Sequence, residues 1–399
     1  MRRLPCLTVA VLAAGSSSVM AGGFALNEQS ASAAGTAYAG RASSALDAST
    51  VFGNPAGMSL LDEQVTGGIA GVWAKSDIDA EAGNGTNEGD MVPLKGIPFG
   101  YYVTPINDTW HFGLGVYAPF GMATNYESTF QGRAYGDKSD VKVTTVQPTL
   151  SVQLNDQLSL GFGVTLNKIE GILSSDPIPG LQRVRIEGDD KGYGYNLGML
   201  YQLNEATRLG LTYRSKVDYT LRGHGDFIGL VNQRIDGKLE LTTPESVEAS
   251  VSHALDNRWT VHAGATWTRW SRLETIEVKF DNGMTTAEPQ EWRDVVSGAV
   301  GASYQLTPQW LLRAGLAYDP TPTNNEHRSP RIPSGDRWIG TVGFGYQVSE
   351  QLTIDGAYGY VKEDKVKVNR HSSVPGVQDY RAEYDNHAHV LTVGATYRF

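Results

Sequence analysis

The chain is poor in cysteine, in charge and in long apolar runs. Only one of its 399 residues is cysteine, and only 19% are charged. No apolar run approaches the ~20 residues that a membrane-spanning helix needs, which excludes a bundle of transmembrane helices. The 19 tyrosines and 8 tryptophans argue against disorder. Glycine, with 46 residues, lies well above its usual share of about 7%. These features together favour one large β-barrel.

The first 21 residues predict a cleaved secretory signal peptide. Arg2 and Arg3 precede a short apolar core at 7–14, and small residues mark a cleavage site between Ala21 and Gly22. The single cysteine lies inside this segment, so the mature chain is predicted to contain no disulfide. The remaining 31 Lys and Arg face 43 Asp and Glu, and this net charge of −12 argues against a nucleic-acid partner.

Beyond residue 63 the sequence alternates between apolar and small or polar residues with a period of two. One run places apolar side chains on one face and polar or small ones on the other: Leu158, Leu160, Phe162, Val164 and Leu166 against Ser159, Gly161, Gly163, Thr165 and Asn167. The runs are near 10 to 16 residues long, whereas soluble strands average about 5–6 residues. Aromatic pairs eight residues apart, such as Trp259 and Trp267, span about 26 Å. A membrane barrel, apolar face outward, fits this pattern.

Short and long connections alternate along the chain. A weak repeat of Asn, Asp, Pro, Ser and Glu predicts tight turns near 106, 155, 205, 256, 307 and 349. Longer polar loops are predicted at 80–91, 121–138, 172–183, 223–236, 280–290, 320–335 and 363–380. Thirteen connections make fourteen strands, an even number as in bacterial single-chain barrels. The sequence therefore predicts an all-β fold, a 14-stranded antiparallel transmembrane β-barrel; a large β-sandwich or a propeller is the alternative.

Residues 22–63 lack the alternation and predict short helices and turns. A barrel of fourteen strands is too wide for side chains alone to fill. We therefore expect this segment to form a helical hatch, or plug, inside the lumen rather than a periplasmic tail. The predicted division is a signal peptide at 1–21, a hatch at 22–63 and a barrel at 64–399.

Several short motifs, taken as a set, resemble a known family. They are Gly23-Phe24-Ala25-Leu26-Asn27-Glu28, Ala37-Tyr38-Ala39-Gly40-Arg41, Asp47-Ala48-Ser49-Thr50-Val51, Asn54-Pro55-Ala56-Gly57-Met58, Pro105-Ile106-Asn107-Asp108, the segment 120–126 and the terminal Phe399. The set is similar to that of the FadL-type outer-membrane transporters of long-chain fatty acids and aromatic hydrocarbons. The likeness covers the whole chain and is densest in the predicted hatch.

The resemblance implies that a hydrophobic ligand is captured at the cell surface, passes to an interior pocket and leaves sideways into the membrane. The N-terminus that reaches the pocket in this family corresponds to Gly22, Gly23 and Phe24. The Asn-Pro-Ala motif of the hatch corresponds to Asn54, Pro55 and Ala56. The inward kink of the third strand, which opens the wall, corresponds to Ala118, Pro119, Phe120, Gly121, Met122 and Ala123.

The residues independently indicate a break in the third strand. Pro119 removes a donor from the ladder, and Gly121 follows two residues later. Unpaired backbone at membrane depth is costly unless it faces a cavity, and a lateral window is such a cavity. The alternative is that the strand ends there and a loop begins.

Motifs for other activities are weak or missing. His387 and His389 share a face but lack a third metal ligand, and Glu187, Asp189 and Asp190 are typical of a solvated loop. No Gly-x-Ser-x-Gly motif supports a lipase. We therefore predict no enzymatic activity, no cofactor and no metal. A general diffusion porin and a surface adhesin are the competing non-enzymatic classes.

The predicted function is passive, ligand-gated uptake of hydrophobic compounds, above all long-chain fatty acids, across the bacterial outer membrane. Uptake of aromatic hydrocarbons or alkanes by the same fold is the alternative. The expected partners are the hydrophobic ligand, outer-membrane lipid and lipopolysaccharide, and the barrel-assembly machinery. A monomer is expected.

Overall fold

The computed structural model describes residues 22–81, 91–178, 180–230, 232–372 and 377–399, so the predicted signal peptide lies outside the described residues. Two short helices, α1 (Ala31–Ala34) and α2 (Thr50–Gly53), and a 3-10 helix (Pro55–Leu60) precede the first strand. Two further 3-10 helices lie at Gln131–Ala134 and Trp270–Arg272. No helix in the described ranges is long and apolar enough to cross a membrane.

All described strand segments belong to one antiparallel sheet. They are β1 (Gln64–Ala80), β2 (Lys95–Pro105), β3 (Trp110–Asn125), β4 (Lys138–Gln153), β5 (Leu158–Ile178), β6 (Gln182–Asn204), β7 (Thr207–Arg214), β8 (Val217–Gly229), β9 (Gln233–Thr243), β10 (Ser246–Ala254), β11 (Trp259–Thr268), β12 (Thr275–Phe280), β13 (Thr285–Pro289), β14 (Val295–Gln305), β15 (Trp310–Asp319), β16 (Arg337–Gln347), β17 (Leu352–Glu363), β18 (Val366–Arg370) and β19 (Tyr380–Arg398).

The sheet closes into a barrel because β1 pairs with β2 on one side and with β19 on the other, where Gln64 lies opposite Arg398. Five strands are interrupted, so β7 with β8, β9 with β10, β11 with β12, β13 with β14 and β17 with β18 each make one strand. The nineteen segments therefore form fourteen strands. The predicted 14-stranded antiparallel barrel with an N-terminal helical hatch is confirmed.

The repeat found in the sequence caps the tight turns. In the first turn the Asn107 side-chain oxygen accepts from the amides of Thr109 and Trp110, both at 2.9 Å. Equivalent caps are made by Asn155, Asn204, Asp256, Thr307 and Ser349. A short polar side chain that satisfies local amides favours a turn over continued strand.

The alternation of the sequence sorts side chains between lipid and lumen. On β5, Phe162 and Leu166 are 47% and 43% exposed, whereas Ser159 and Asn167 are buried against the interior. An exposed apolar belt of this kind, rimmed by Trp110, Trp259 and Trp310, is the surface of a membrane barrel.

Several predicted loops are shorter than the sequence suggested. The loops expected at 172–183 and 223–236 are mostly strand, because β5 runs to Ile178 and β8 to Gly229. The prediction ended each strand where its apolar stripe ended. Backbone pairing continues beyond the membrane among polar residues, since a hairpin needs no apolar face to keep its ladder.

Candidate functional site

The first residues of the hatch carry Phe24 into an aromatic cluster inside the barrel. The Phe24 ring centroid lies 5.1 Å from that of Trp270, 5.6 Å from Phe120 and 6.1 Å from Trp292. The planes are tilted by 56° to 59°, an arrangement that favours aromatic contact. Phe24 is buried, so its ring is held mainly by apolar and aromatic contact.

Glycine is required beside Phe24. Gly23 has a φ of +75°, and a Cβ there would lie 2.6 Å from the Trp270 ring and 2.7 Å from the Trp292 ring. Gly22 is buried, and its amide nitrogen donates to Asp319 Oδ2 at 3.1 Å. Of the three residues predicted to reach the pocket, Phe24 therefore belongs to the interior apolar cluster, Gly23 packs against two of its tryptophans, and Gly22 lies beside Asp319.

This apolar cluster joins the hatch to distant parts of the wall. Trp270 and Trp292 enter it from the interruptions between β11 and β12 and between β13 and β14. Alternation could not predict that these two tryptophans face inward, because each stands outside the alternating runs. The other buried members are Met91, Val92, Met122, Tyr126, Phe130, Leu273, Val295, Ile332, Val366, Val368, Tyr380, Ala382 and Tyr384.

Strand β3 continues through Pro119 but changes its partners there. Its pairing with β2 ends where Gly100 lies opposite Val116. Its pairing with β4 shifts in register between Tyr117 and Phe120. Beyond Gly100, β2 remains paired with β1 up to Lys95. The part of β3 beyond Val116 is therefore separated from β2. The strand is kinked near Pro119 and does not end there.

The N-terminal segment, residues 22–26, takes the place of β2 along the kink. The Leu26 amide donates to the Pro119 carbonyl at 2.8 Å, and the Gly121 amide donates to the Phe24 carbonyl at 2.9 Å. These bonds form an isolated antiparallel bridge. Backbone groups of β3 that β2 no longer satisfies are thus paired with the hatch.

The rest of the kink is buried against the hatch. Gln29 donates its Nε2 hydrogen to the Ala118 carbonyl at 2.6 Å. Ala118, Met122 and Ala123 are 5%, 7% and 2% exposed. The predicted kink residues therefore contact the N-terminal segment at Phe24–Leu26 and the rest of the hatch at Gln29.

An ion pair links β2 and β4 beside the kinked strand. Lys95 Nζ on β2 lies 2.9 Å from Asp140 Oδ2 on β4. The first part of β3, up to Val116, lies between these two strands and pairs with both. At the level of the ion pair β3 is no longer paired with β2, although Ala123 still lies opposite Asp140 of β4. Lys95 and Asp140 border the place where β2 and β3 separate.

The Asn-Pro-Ala motif lies in a different part of the lumen, against β5 and β6. Asn54 Nδ2 donates to the Ala42 carbonyl of the hatch at 2.6 Å and to the Met199 carbonyl of β6 at 2.9 Å. Its Oδ1 accepts from the Ala56 amide at 3.0 Å, and Pro55 begins the 3-10 helix. Asn54 therefore ties the hatch to itself and to the wall.

A buried charge network, missed in the sequence, also fixes the hatch. Arg41 Nη2 lies 2.8 Å from Glu248 Oε2 on β10, and Arg214 Nη1 lies 3.4 Å from the same oxygen. The Arg214 guanidinium stacks 4.4 Å from the centroid of the Phe52 ring. Arg41 is the only Lys or Arg among residues 22–63, and this is the signal that could have indicated an acidic partner on the wall.

One buried cation borders the apolar cluster without an acidic partner within ion-pair distance in the described ranges. Arg328 is 5% exposed and donates to Thr323 Oγ1 at 3.2 Å, to Asn325 Oδ1 at 2.5 Å and to the Lys367 carbonyl at 3.2 Å. Burial lowers the pKa of Arg328 to about 10. Lys367 stands between two residues of the cluster, Val366 and Val368.

A concavity of about 800 Å³ lies elsewhere, across β11, β14, β15 and β16. Its lining includes Val300, Leu316 and Val342, which are 56% to 60% exposed on the outer face. We assign it to the lipid-facing surface, since outward side chains on these strands meet the bilayer. It is not the site formed by the hatch.

A closed barrel with an apolar belt, a plugged lumen and an apolar cluster beside a break in one strand is characteristic of an outer-membrane transport protein. The family described as "Outer membrane protein transport protein (OMPP1/FadL/TodX)" matches residues 12–399. The chain belongs to this family, and it is an outer-membrane protein.

Relatives and solved structures agree with this assignment. The chain is 29% identical to a long-chain fatty acid transport protein of Escherichia coli O6:H1, over 94% of each chain. It is 30% identical to outer membrane protein P1 of Haemophilus influenzae, over 90% of this chain and 89% of that protein. A Pseudomonas aeruginosa FadL homologue superposes with a TM-score of 0.85, at 26% identity, over 94% of this chain and 99% of the other. The P. putida toluene transporter TodX, at 20% identity and a TM-score of 0.70 over 88% and 94%, shares the fold.

Proposed function

We propose that the protein takes up hydrophobic compounds, chiefly long-chain fatty acids, by passive ligand-gated diffusion with lateral exit into the membrane. One observation carries the proposal: residues 24–26 hold Phe24 in the apolar cluster and pair with the kink of β3 at the same time. An apolar ligand that takes the place of the Phe24 ring would draw these residues away from Pro119 and Gly121. Ligand binding would thereby unseal the gap between β2 and β3.

The energetics suit a passive mechanism. Burial contributes ~0.8 kcal/mol per methylene, so about ten methylenes give about 8 kcal/mol before ordering costs. That supports micromolar binding without an energy source. A ligand that has left water for an apolar pocket would pay this free energy again on entering the periplasm. Passage into lipid is nearly level, which favours lateral exit.

Arg328 supports a ligand with an anionic head group. A buried guanidinium with only neutral acceptors within hydrogen-bond distance favours an anionic partner, and a fatty-acid carboxylate at the end of an apolar tail is one. Relatives named as long-chain fatty acid transporters support the same substrate class. The Arg328→Gln variant should take up fatty acids at least about tenfold more slowly while uptake of an uncharged alkane is unchanged, since a charge-assisted hydrogen bond contributes about 1.5–3 kcal/mol.

Aromatic hydrocarbons are the second candidate substrate. The observation in their favour is the aromatic cluster of Phe24, Phe120, Trp270 and Trp292, whose rings could stack on a monoaromatic ligand. Competition between a radiolabelled fatty acid and toluene for the purified protein separates the two. If toluene at equal concentration displaces the fatty acid, and if Arg328→Gln does not weaken ligand binding, the hydrocarbon would be favoured as the substrate.

The porin alternative is tested by conductance in planar bilayers. A plugged transporter should be nearly silent, whereas large steady currents would identify a general diffusion porin and overturn the proposal. The monomeric state, contact with lipopolysaccharide and assembly by the barrel-assembly machinery remain predictions.

A further inference from the structure

The connection between β15 and β16, residues 320–335, is a long loop that is largely buried. It lies at the end of the barrel opposite the tight turns, which is the extracellular end in outer-membrane barrels. Ten of its sixteen residues are buried. Ile332 is 7% exposed and belongs to the interior apolar cluster. This segment, the mouth loop, therefore packs on the apolar cluster from the extracellular side.

The mouth loop is tied to itself. Thr321 Oγ1 lies 2.8 Å from Ser334 Oγ, and Thr323 Oγ1 donates to the Ser334 carbonyl at 3.1 Å, so the two legs of the loop are joined. Prolines at 320, 322, 330 and 333 fix the backbone φ at four positions. A segment with these internal constraints would move as one body.

Arg331 fastens the mouth loop to the opposite wall. Its Nη1 donates to the Lys138 carbonyl at 3.3 Å and to Ser139 Oγ at 3.1 Å, at the start of β4. Its Nε lies 3.4 Å from Glu288 Oε2 on β13. Counted around the ring of fourteen strands, β4 is the fourth and β15 the eleventh, so they stand on opposite sides of the lumen. The loop therefore spans the whole mouth of the barrel.

Two more side chains hold the mouth loop between these walls. The Tyr126 hydroxyl donates to the Pro330 carbonyl at 2.7 Å, and Asn386 Nδ2 on β19 donates to the Pro333 carbonyl at 2.7 Å. Both bonds end on the backbone beside Arg331. The part of the loop farthest from its own strands is thus held by a few side-chain contacts, of which Arg331 makes three.

We propose that the mouth loop is the outer lid of the ligand route and that Arg331 is its latch. An apolar ligand that arrives from outside meets the loop before it reaches the apolar cluster, so the tip of the loop must leave β4 and Glu288. The ligand then replaces the apolar contacts of Ile332, and water replaces the partners of Arg331. This inference rests on the proposed function for the direction of ligand entry.

The same loop carries Arg328. In the closed arrangement Arg328 Nη1 donates to the Lys367 carbonyl on β18 at 3.2 Å. Opening the loop breaks this bond and presents the guanidinium to an arriving ligand. A neutral hydrocarbon can compensate only the contacts of Ile332, whereas a carboxylate also gains a charge-assisted hydrogen bond with Arg328. The lid therefore favours the entry of acids over that of neutral hydrocarbons.

A disulfide lock tests whether the loop must move. A Cβ on Gly136 would lie 2.9 Å from Arg331 Cγ, so Gly136→Cys with Arg331→Cys can form a disulfide. The only native cysteine, Cys6, lies in the predicted signal peptide. The oxidised double variant should take up a radiolabelled fatty acid at least about tenfold more slowly than the same protein after reduction. Uptake by Arg331→Cys alone should not respond to oxidation or reduction.

A second measurement does not depend on transport. Val368 on β18 is a fully buried member of the apolar cluster, next to Lys367. Reaction of Val368→Cys with a membrane-impermeant maleimide on whole cells reports how often the mouth is open. Adding Arg331→Gln should speed this reaction at least about tenfold, because the charge-assisted hydrogen bonds that hold the tip of the loop are lost.

The matched control is Arg185→Gln in the same Val368→Cys background. Arg185 lies near the extracellular end of β6 and pairs with Glu187, away from the mouth loop, so the labelling rate should stay unchanged. Equal labelling with and without Arg331→Gln would overturn the inference, as would equal uptake by the oxidised and the reduced lock. If no form of the protein takes up fatty acid, the proposed function fails, and the labelling rates still decide whether the loop closes the mouth.

Discussion

The body of the hatch and its N-terminal segment are held in different ways. Wall side chains reach the backbone of the hatch body around α2, with Gln147 donating to the Val51 carbonyl at 2.8 Å and Arg214 to the Phe52 carbonyl at 2.7 Å. Residues 22–26 are instead held by two backbone hydrogen bonds to β3 and one contact with Asp319. The body is anchored by specific buried side chains, whereas the N-terminal segment is held by main-chain hydrogen bonds that another strand could replace.

This difference predicts which part of the plug would move if the ligand gates transport. Releasing the body would leave several buried polar groups unpaired, each at a cost of about 1–3 kcal/mol. Releasing residues 24–26 costs two backbone bonds and the aromatic contacts of Phe24, and an apolar ligand can replace the latter. We therefore expect gating by the N-terminal segment while the hatch body stays in place.

The largest effect is expected from Glu248→Gln. The substitution leaves Arg41 and Arg214 buried side by side without a carboxylate, which should destabilise the docked hatch by about 3–5 kcal/mol. Conductance in planar bilayers should then show openings that the parent lacks, with the heat resistance of the barrel unchanged. Glu240→Gln, exposed on the outer face of β9, is the control and should stay silent. A silent Glu248→Gln channel would show that the network does not hold the hatch.

Phe24→Ala tests the mobile segment. The ring competes with ligand for the aromatic cluster, so removing it should tighten equilibrium binding of a radiolabelled fatty acid by about tenfold. The free-energy change behind this tenfold effect is only part of the several kcal/mol that a buried phenylalanine contributes to packing. Phe162→Ala, on the lipid-facing side of β5, should leave affinity unchanged. Weaker binding in Phe24→Ala would mean that the ring is part of the ligand's own site.

Asn54→Ala tests the anchored body with a smaller change. The variant leaves the Met199 and Ala42 carbonyls without their donor, at a cost of about 2 kcal/mol. Uptake of apolar substrate should fall while barrel assembly and heat resistance are kept. Asn369→Ala, exposed on β18, serves as the control. Unchanged uptake at equal surface expression would remove Asn54 from the gating mechanism.

The sequence predicts the barrel well because the barrel depends on local, repeated signals. Asn107 and its counterparts cap their turns through bonds two and three residues away, and the alternation along β5 sorts side chains without knowledge of any partner. The site depends on contacts between remote residues. Glu248 lies 207 positions from Arg41, and Asp319 lies 297 from Gly22. Trp270 and Trp292 stand in strand interruptions, where no periodicity shows which way a side chain points.

The last prediction concerns the kink itself. Pro119→Val with Gly121→Thr supplies an amide donor and β-favouring side chains, so β3 gains the means to pair with β2 beyond Val116. β2 would then compete with residues 24–26 for the same edge of β3. We expect the ligand to bind as before and its uptake to fall about tenfold, since the gap between β2 and β3 would close.

Pro148→Val is the matched control, because Pro148 lies within the regular pairing of β4 with β3, opposite Leu114. It should transport at the parental rate. Binding and uptake are measured separately, with purified protein and with whole cells, because only the combination of normal binding and slow uptake identifies an exit defect. Normal uptake by the Pro119 and Gly121 double variant would mean that the ligand leaves by another path, past the anchored body of the hatch. The hatch body, and not the N-terminal segment, would then be the part of the plug that moves.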